Sequence, residues 1–206
     1  MRSDARRNRE RVLVAAEDVF SEMGLRAQID EVARRAGVGV GTVCRHFPTK
    51  QALVEAVLEA MYESLLADAR RALRQPDPGA AFQTFFFALS EFQARHRALA
   101  EHMASEIDLP VSAQSVRDAL RGAIGELVTR AQDAGAIRPD IGPADVAMLF
   151  SGVAHATALA GDLQPVLRER YVALILDGLR PLKASHLPGQ PLDFEQLGRL
   201  KTPTPR

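Results

Sequence analysis

Apolar residues recur with a period near 3.6 along almost the whole chain, and strand-like alternation is absent. This restricts the fold to packed α-helices. Val12, Leu13, Ala16, Val19, Phe20 and Met23 share one face of a first helix, which Gly24 ends. Ile29, Val32, Ala33 and Ala36 mark a short second helix stopped at Gly37, and a third short segment runs from about Val40 to His46. Thr49 is placed to cap a long fourth helix carrying Leu53, Val54, Val57, Leu58, Met61 and Leu65. The run Gln75-Pro76-Asp77-Pro78-Gly79 breaks the chain before a stripe of Phe82, Phe85, Phe86, Leu89 and Phe92 that ends near His96. A segment around Leu99–Ile107 follows, then a helix on Val116, Leu120, Ile124, Leu127, Val128 and Ala131. Pro143 opens a helix through Ala160, and the last spans Pro165 to Leu182. The expected fold is all-α with about nine helices.

Composition narrows the function. The 206 residues are 47% hydrophobic, enough for a core, so wholesale disorder is excluded. A single Cys excludes a disulfide framework and a multi-Cys zinc site. The longest uncharged run, Val146–Gly161, falls short of the ~18 residues a spanning helix needs, and the N-terminus has no apolar leader segment, so a cytoplasmic protein is expected. The net charge of zero is unevenly laid out. Residues 1–50 carry ten basic against seven acidic side chains, 51–182 twelve against seventeen, and the tail four against two. A basic end on an acidic body points to an anionic partner. Residues 1–8, with Arg2, Arg6 and Arg7, read either as a flexible basic arm or as a solvated leader. The tail from 183 to 206, rich in Pro and polar residues, is expected to be partly disordered.

Residues 29–47, IDEVARRAGVGVGTVCRHF, hold the sharpest local signal. Two short helices around a Gly-containing turn make a helix-turn-helix, whose second member can enter a DNA major groove. Ala33 is small enough for close helix approach, Gly37 suits the left-handed turn, and Val32, Ala36, Val38 and Val43 would lock the pair together. Gly39 and Gly41 weaken the second helix at ~1 kcal/mol each, a cost that close approach to a duplex would offset. An ordinary turn inside a helical bundle remains the plain alternative.

Its surroundings favour the first option. An amphipathic helix precedes the segment and Phe47-Pro48-Thr49-Lys50 with a long helix follows it. Over residues 24–58 the sequence resembles the TetR family of bacterial transcriptional regulators. The resemblance rests on Val32-Ala33, Ala36-Gly37-Val38, Gly41-Thr42, Val43-Cys44, His46-Phe47 and Lys50. It implies a helix-turn-helix domain over 9–50 and an effector-binding and dimerisation domain over 51–182. It further implies double-stranded DNA with a palindromic operator as partner, a role as a repressor, and a small-molecule effector that releases it.

The third helix would then supply the DNA contacts: Val40, Gly41, Thr42, Cys44, Arg45 and His46, with Lys50 beside it. Thr42 can meet a phosphate, a base edge or a thymine methyl, and Val40 a thymine methyl. Arg45 can grip guanine in bidentate fashion or hold phosphate; His46 and Lys50 are expected backbone anchors. Arg34 and Arg35 fit either a solvated face or a backbone contact, and the leader arginines could reach a phosphate or the minor groove. Cys44 departs from the family, which usually has a phosphate-touching Tyr there. Two accounts follow: a tolerated substitution, with DNA affinity indifferent to peroxide, or a redox-responsive repressor in which oxidised Cys44 releases DNA.

One helix-turn-helix buries too little for useful specificity, so a homodimer is expected. The last two helices offer the surface: Leu149, Gly152, Val153, Ala156, Leu167, Leu174, Ile175 and Gly178. The resemblance places an effector cavity in the middle of the chain. Met61, Phe82, Phe86, Leu89, Met103, Leu120, Ile124 and Phe150 are its candidate walls, and His96, His102 and His155 its polar groups, for a largely apolar ligand. No cofactor, metal site or membrane contact is predicted. An enzyme finds no support, since HExxH, GxSxG and a phosphate-cradling Gly loop after a strand are all missing. A helical adaptor without specific DNA binding is the remaining rival.

Overall fold

The computed structural model describes residues 2–96, Leu99, 111–182 and 185–201. Among them are nine α-helices and no strand. They are α1 (Arg2–Met23), α2 (Ile29–Ala36), α3 (Val40–His46), α4 (Lys50–Leu73), α5 (Pro78–Arg95), α6 (Val111–Asp133), α7 (Pro143–Thr157), α8 (Gln164–Gly178) and α9 (Phe194–Lys201). The helix expected around Leu99–Ile107 lies, apart from Leu99, outside the described residues. No helix among the described residues is long and apolar enough to cross a membrane. The chain forms two compact units, Met1–Glu63 with His96–Gln114 and Ser64–Arg95 with Ser115–Arg206.

The first unit is built on α1. Val12, Ala16, Val19 and Phe20 are buried along one side of it, and Gly24, at φ 73°, turns the chain out of the helix. α2 packs more extensively against α1 than α3 does. Thr49 caps α4, its hydroxyl accepting from the Ala52 N–H at 3.0 Å. α1 begins at Arg2, so the arm expected over residues 1–8 is helical from its second residue. A helix nucleated on a buried face extends at little cost through residues that contain no breaker. An Arg6–Glu10 pair at 3.5 Å adds to that extension.

In the second unit α5 packs against α7 and α8. Phe86 is the centre of the core, stacked on Phe150 with ring centroids 4.9 Å apart and lying 4.5 Å from Phe82 and 5.2 Å from Phe85. Asp77 caps α5 by accepting from the N–H groups of Gly79 and Ala80 at 2.8 and 3.1 Å. At the corner before α7, Gln132 donates to the carbonyls of Arg138 and Ile141 at 3.1 and 3.0 Å.

Residues 185–201, expected to fray, instead fold back on this unit. Arg138 is buried, makes two hydrogen bonds to Asp140 at 2.6 and 2.8 Å, and donates to the Ser185 carbonyl. Asp145 accepts from the Gly142 N–H at 2.8 Å, closing the start of α7, and from the Leu192 N–H at 3.3 Å. A Cβ on Gly142 would lie 2.4 Å from the Leu192 carbonyl oxygen, so only glycine lets this strap seat. α9 follows, with Leu197 buried and the Arg121 guanidinium 5.4 Å from the Phe194 ring centroid. Proline content hides this segment because its anchors lie 47 residues away in sequence.

The Arg138–Asp140 pair has a pH signature. Hydrogen bonds from Arg138 lower the Asp140 pKa from 3.8 to about 2. A carboxylate with a depressed folded-state pKa stabilises above its unfolded value and loses that contribution as pH falls through the folded one. Asp140→Asn is therefore expected to lower the thermal midpoint by a constant amount above about pH 4, with the difference shrinking towards pH 2. Midpoints measured for both proteins across that range check it; a gap that persists at pH 2 rules out the ion pair as its source.

Candidate nucleic-acid interface

The α2–α3 turn shows why this sequence folds as it does. Gly37 has φ 65° and ψ 39°, the left-handed conformation that L side chains resist. Its N–H donates to the Arg34 carbonyl at 3.2 Å and that of Val38 to the Ala33 carbonyl at 3.0 Å, closing the end of α2. Val32, Ala33, Ala36 and Val43 are buried in the angle between the two helices, and Val38 is half-buried. With Val43 turned inward, the helical period leaves Val40, Gly41, Cys44 and Arg45 facing outward.

Val40, Gly41, Cys44 and Arg45 are exposed, and Thr42, His46 and Lys50 are half-buried. The expected contact residues thus share one accessible stretch, α3 and the first turn of α4. Gly39 and Gly41 have open space where a Cβ would stand. Packing within the chain therefore does not require either glycine. Arg45 lies along the helix, donating from Nε to the Gly41 carbonyl at 3.2 Å and from Nη2 to the Thr42 hydroxyl at 3.1 Å.

Arg34, Arg35, Arg9 and Arg11 are engaged inside the chain. Arg34 pairs with Glu31, and Arg35 makes two bonds to Glu22 at 3.0 and 2.7 Å. Those hydrogen bonds hold the Glu31 and Glu22 carboxyls below the usual carboxylate range. Arg9 lies 5.3 Å from the ring centroid of Phe47, the buried residue that ends α3. Arg11 donates from Nη2 to the Ala36 carbonyl at 2.6 Å. Sequence reasoning missed both. A long side chain reaches many partners, and its spacing does not single one out.

The predicted dimer and cavity residues fall in mixed positions. Leu149, Gly152, Ala156, Leu174 and Gly178 are exposed, Leu167 and Ile175 half-buried, and Val153 is buried, so it belongs to the core. Met148, Leu159, Leu163, Val166 and Tyr171 are exposed apolar residues of the same two helices and their connection that were not anticipated. Phe82, Phe86, Leu89, Leu120, Ile124 and Phe150 are all buried in the second unit. His155 is exposed. Met61 and His96 are buried in the first unit, where the His96 ring takes Ser21 at 2.9 Å and approaches Glu17 at 3.4 Å. Met103 and His102 lie outside the described residues.

Two family models match the chain. Residues 12–57 match the bacterial regulatory proteins of the tetR family, and residues 77–181 the C-terminal domain of SbtR-like transcriptional regulators. The Escherichia coli K12 transcriptional regulator UidR is 27% identical over 194 residues, covering 88% of this chain and 94% of its own. A Mycolicibacterium smegmatis protein, the transcriptional activator FasR, is 30% identical over 129 residues, 59% of either chain. The crystal structure of a TetR transcription regulatory protein from Mycobacterium vanbaalenii is 40% identical, covers 87% of this chain and 98% of its own, and superposes with a TM-score of 0.65. A TetR regulator from Streptomyces coelicolor is 32% identical with a TM-score of 0.66, over 84% of this chain and 99% of its own. A glycine-bared helix held outward by a left-handed turn, on a chain whose two parts both match regulator domains, makes this protein a member of the TetR family, a helix-turn-helix DNA-binding transcriptional regulator.

Proposed function

We propose that the chain binds a palindromic operator as a homodimer, acts in the cytoplasm as a repressor, and is released by a largely apolar small molecule. The observation that carries the DNA-binding part is the bare outer surface of α3. Gly41 weakens the helix by ~1 kcal/mol, Gly39 stands at its N-cap, and nothing among the described residues uses the space that either leaves. A duplex backbone brought against that surface would use it. In this reading Thr42 and Arg45 contact bases as one hydrogen-bonded pair, and Val40 meets a thymine methyl. His46 and Lys50 hold phosphates, Lys50 from the first turn of α4. Cys44 is a tolerated neighbour.

The apolar exposed residues of α7 and α8 support self-association, because a monomer gains nothing from presenting them to water. For an effector the second unit offers an open pocket of about 310 Å³, lined by Phe82, Ile137 and Leu176 together with the polar Gln83 and Arg180. Of the predicted walls it shares Phe82. The relative FasR is named an activator, so the sense of regulation needs a promoter-reporter measurement.

Selection of bound duplexes from random DNA tests the core of the proposal. The expected output is a two-fold symmetric site, bound by wild type with a steep salt dependence. Arg45→Ala is expected to relax the preference at one position per half-site, a loss of ~1–3 kcal/mol of discrimination. Lys50→Ala is expected to weaken all duplexes alike and to reduce the salt slope by about one phosphate equivalent. No enrichment over random sequence would favour an adaptor instead.

A further inference from the structure

Arg11 lies on α1, yet its guanidinium is spent on the helix-turn-helix. Nη2 reaches the carbonyl of Ala36, the last residue of α2, at 2.6 Å. The four carbonyls that end a helix have no partner within it. Ala33 and Arg34 have theirs in the N–H groups of Val38 and Gly37, at 3.0 and 3.2 Å. Arg11 supplies a donor to Ala36 from another helix, and places a cation at the negative end of the α2 dipole. The same guanidinium closes on the turn itself. A Cβ built on Gly37 would stand 3.0 Å from Nη2. Gly37 is required by its φ of 65°, and a side chain there would also press on Nη2, which would have to give by a few tenths of an ångström.

The placement has a consequence for DNA recognition. α3 leaves directly from this turn, so the turn sets where it starts, and the buried Val43 and Phe47 hold its inner side. At the far end of α3, Arg9 covers the ring of Phe47 and closes the frame there. A misplacement of about 1 Å in a group that must meet base edges is costly, as it is for any preorganised site.

We infer that Arg11 is a positioning residue for base readout: by clamping the α2 end and the Gly37 turn to α1, it sets the pose of α3 without touching DNA. The inference rests on the proposal that α3 reads bases. It separates Arg11 from a phosphate contact by a measurable sign. A phosphate contact weakens specific and random duplexes together and lowers the salt slope by about 0.9. A positioning residue lowers the ratio of specific to random affinity and leaves the slope of random binding unchanged.

The experiment compares full-length wild type, Arg11→Gln and Arg11→Lys on the selected operator and on a random duplex between 50 and 200 mM salt, with Lys50→Ala as the phosphate reference. The expected result for Arg11→Gln is a loss of about tenfold on the operator, little change on random DNA and an unchanged random-DNA slope. Arg11→Lys keeps one donor and the charge, so it is expected to recover part of the operator affinity. Circular dichroism confirms that each variant is folded at the assay temperature; should Arg11→Gln unfold, the operator-to-random ratio of Arg11→Lys decides, and it must lie below wild type. Equal losses on both duplexes with a slope reduced like that of Lys50→Ala would overturn the inference, as would an unchanged ratio in both variants. Wild type with no preference between the duplexes would instead remove the proposal on which the inference rests.

Discussion

Leu174→Arg is expected to leave the chain monomeric at micromolar concentration and to lower operator affinity by about 100-fold or more. Leu174 is exposed on α8, as are Val166 and Tyr171, and Met148 and Leu149 are exposed on α7. A two-fold interface is isologous, so one substitution enters it twice. Each inserted guanidinium would lose its water without an opposing carboxylate, and apolar area worth ~25 cal/mol per Å² would stay solvated. DNA affinity follows because two linked half-site contacts gain ~10²- to 10⁴-fold over one. Sedimentation equilibrium and a mobility shift on the selected operator read the two effects separately. A variant that sediments as a dimer places the interface elsewhere; a monomer with full operator affinity removes the need for pairing.

Phe86→Ala should cost ~3–5 kcal/mol of stability in the second unit. The ring is fully buried and touches three others, Phe82, Phe85 and Phe150. Its removal forfeits the transfer energy of the side chain, leaves a cavity, and breaks aromatic pairs worth ~0.5–1.5 kcal/mol each. A domain is stable by only ~5–15 kcal/mol, so the loss is a large share. At ~2–4 °C per kcal/mol for a chain of this size, the thermal midpoint is expected to fall by roughly 10 °C. Phe86→Leu, which keeps most of the volume, is expected to lose far less. Similar midpoints for the two variants would show that α5 and α7 collapse around the gap.

Much of this architecture is legible in the sequence because each early helix carries both a periodic apolar face and its own stop. Gly24 and Gly37 end α1 and α2 in the left-handed conformation that their positions suggest. The outward set on α3 follows from one inward residue, Val43, and the helical period. α7 was harder to orient. It is apolar or small on nearly every side, so the sequence does not say which apolar residue turns inward, and Val153 and Leu149 had to be separated by the fold. The choices made by arginines were hidden for a different reason. Arg34 and Arg35 have acids at several reachable spacings, and Arg11 binds a carbonyl 25 residues away, which has no residue-type signature at all. His96, a candidate polar group of the cavity, is held by Ser21 and Glu17 of α1, and its bond to Ser21 spans 75 residues of sequence.

The C-terminal family match ends at residue 181, just before the strap that crosses Arg138 and Gly142. Trimming the chain to the length of that match is therefore not a neutral edit. It would strip an acceptor from an inward-facing guanidinium and leave beside Gly142 a notch shaped to a backbone no longer there. A shortened version would have to be redesigned at both places, with an uncharged residue for Arg138 and a side chain to fill the notch. Affinity tags at this terminus belong beyond α9 for the same reason.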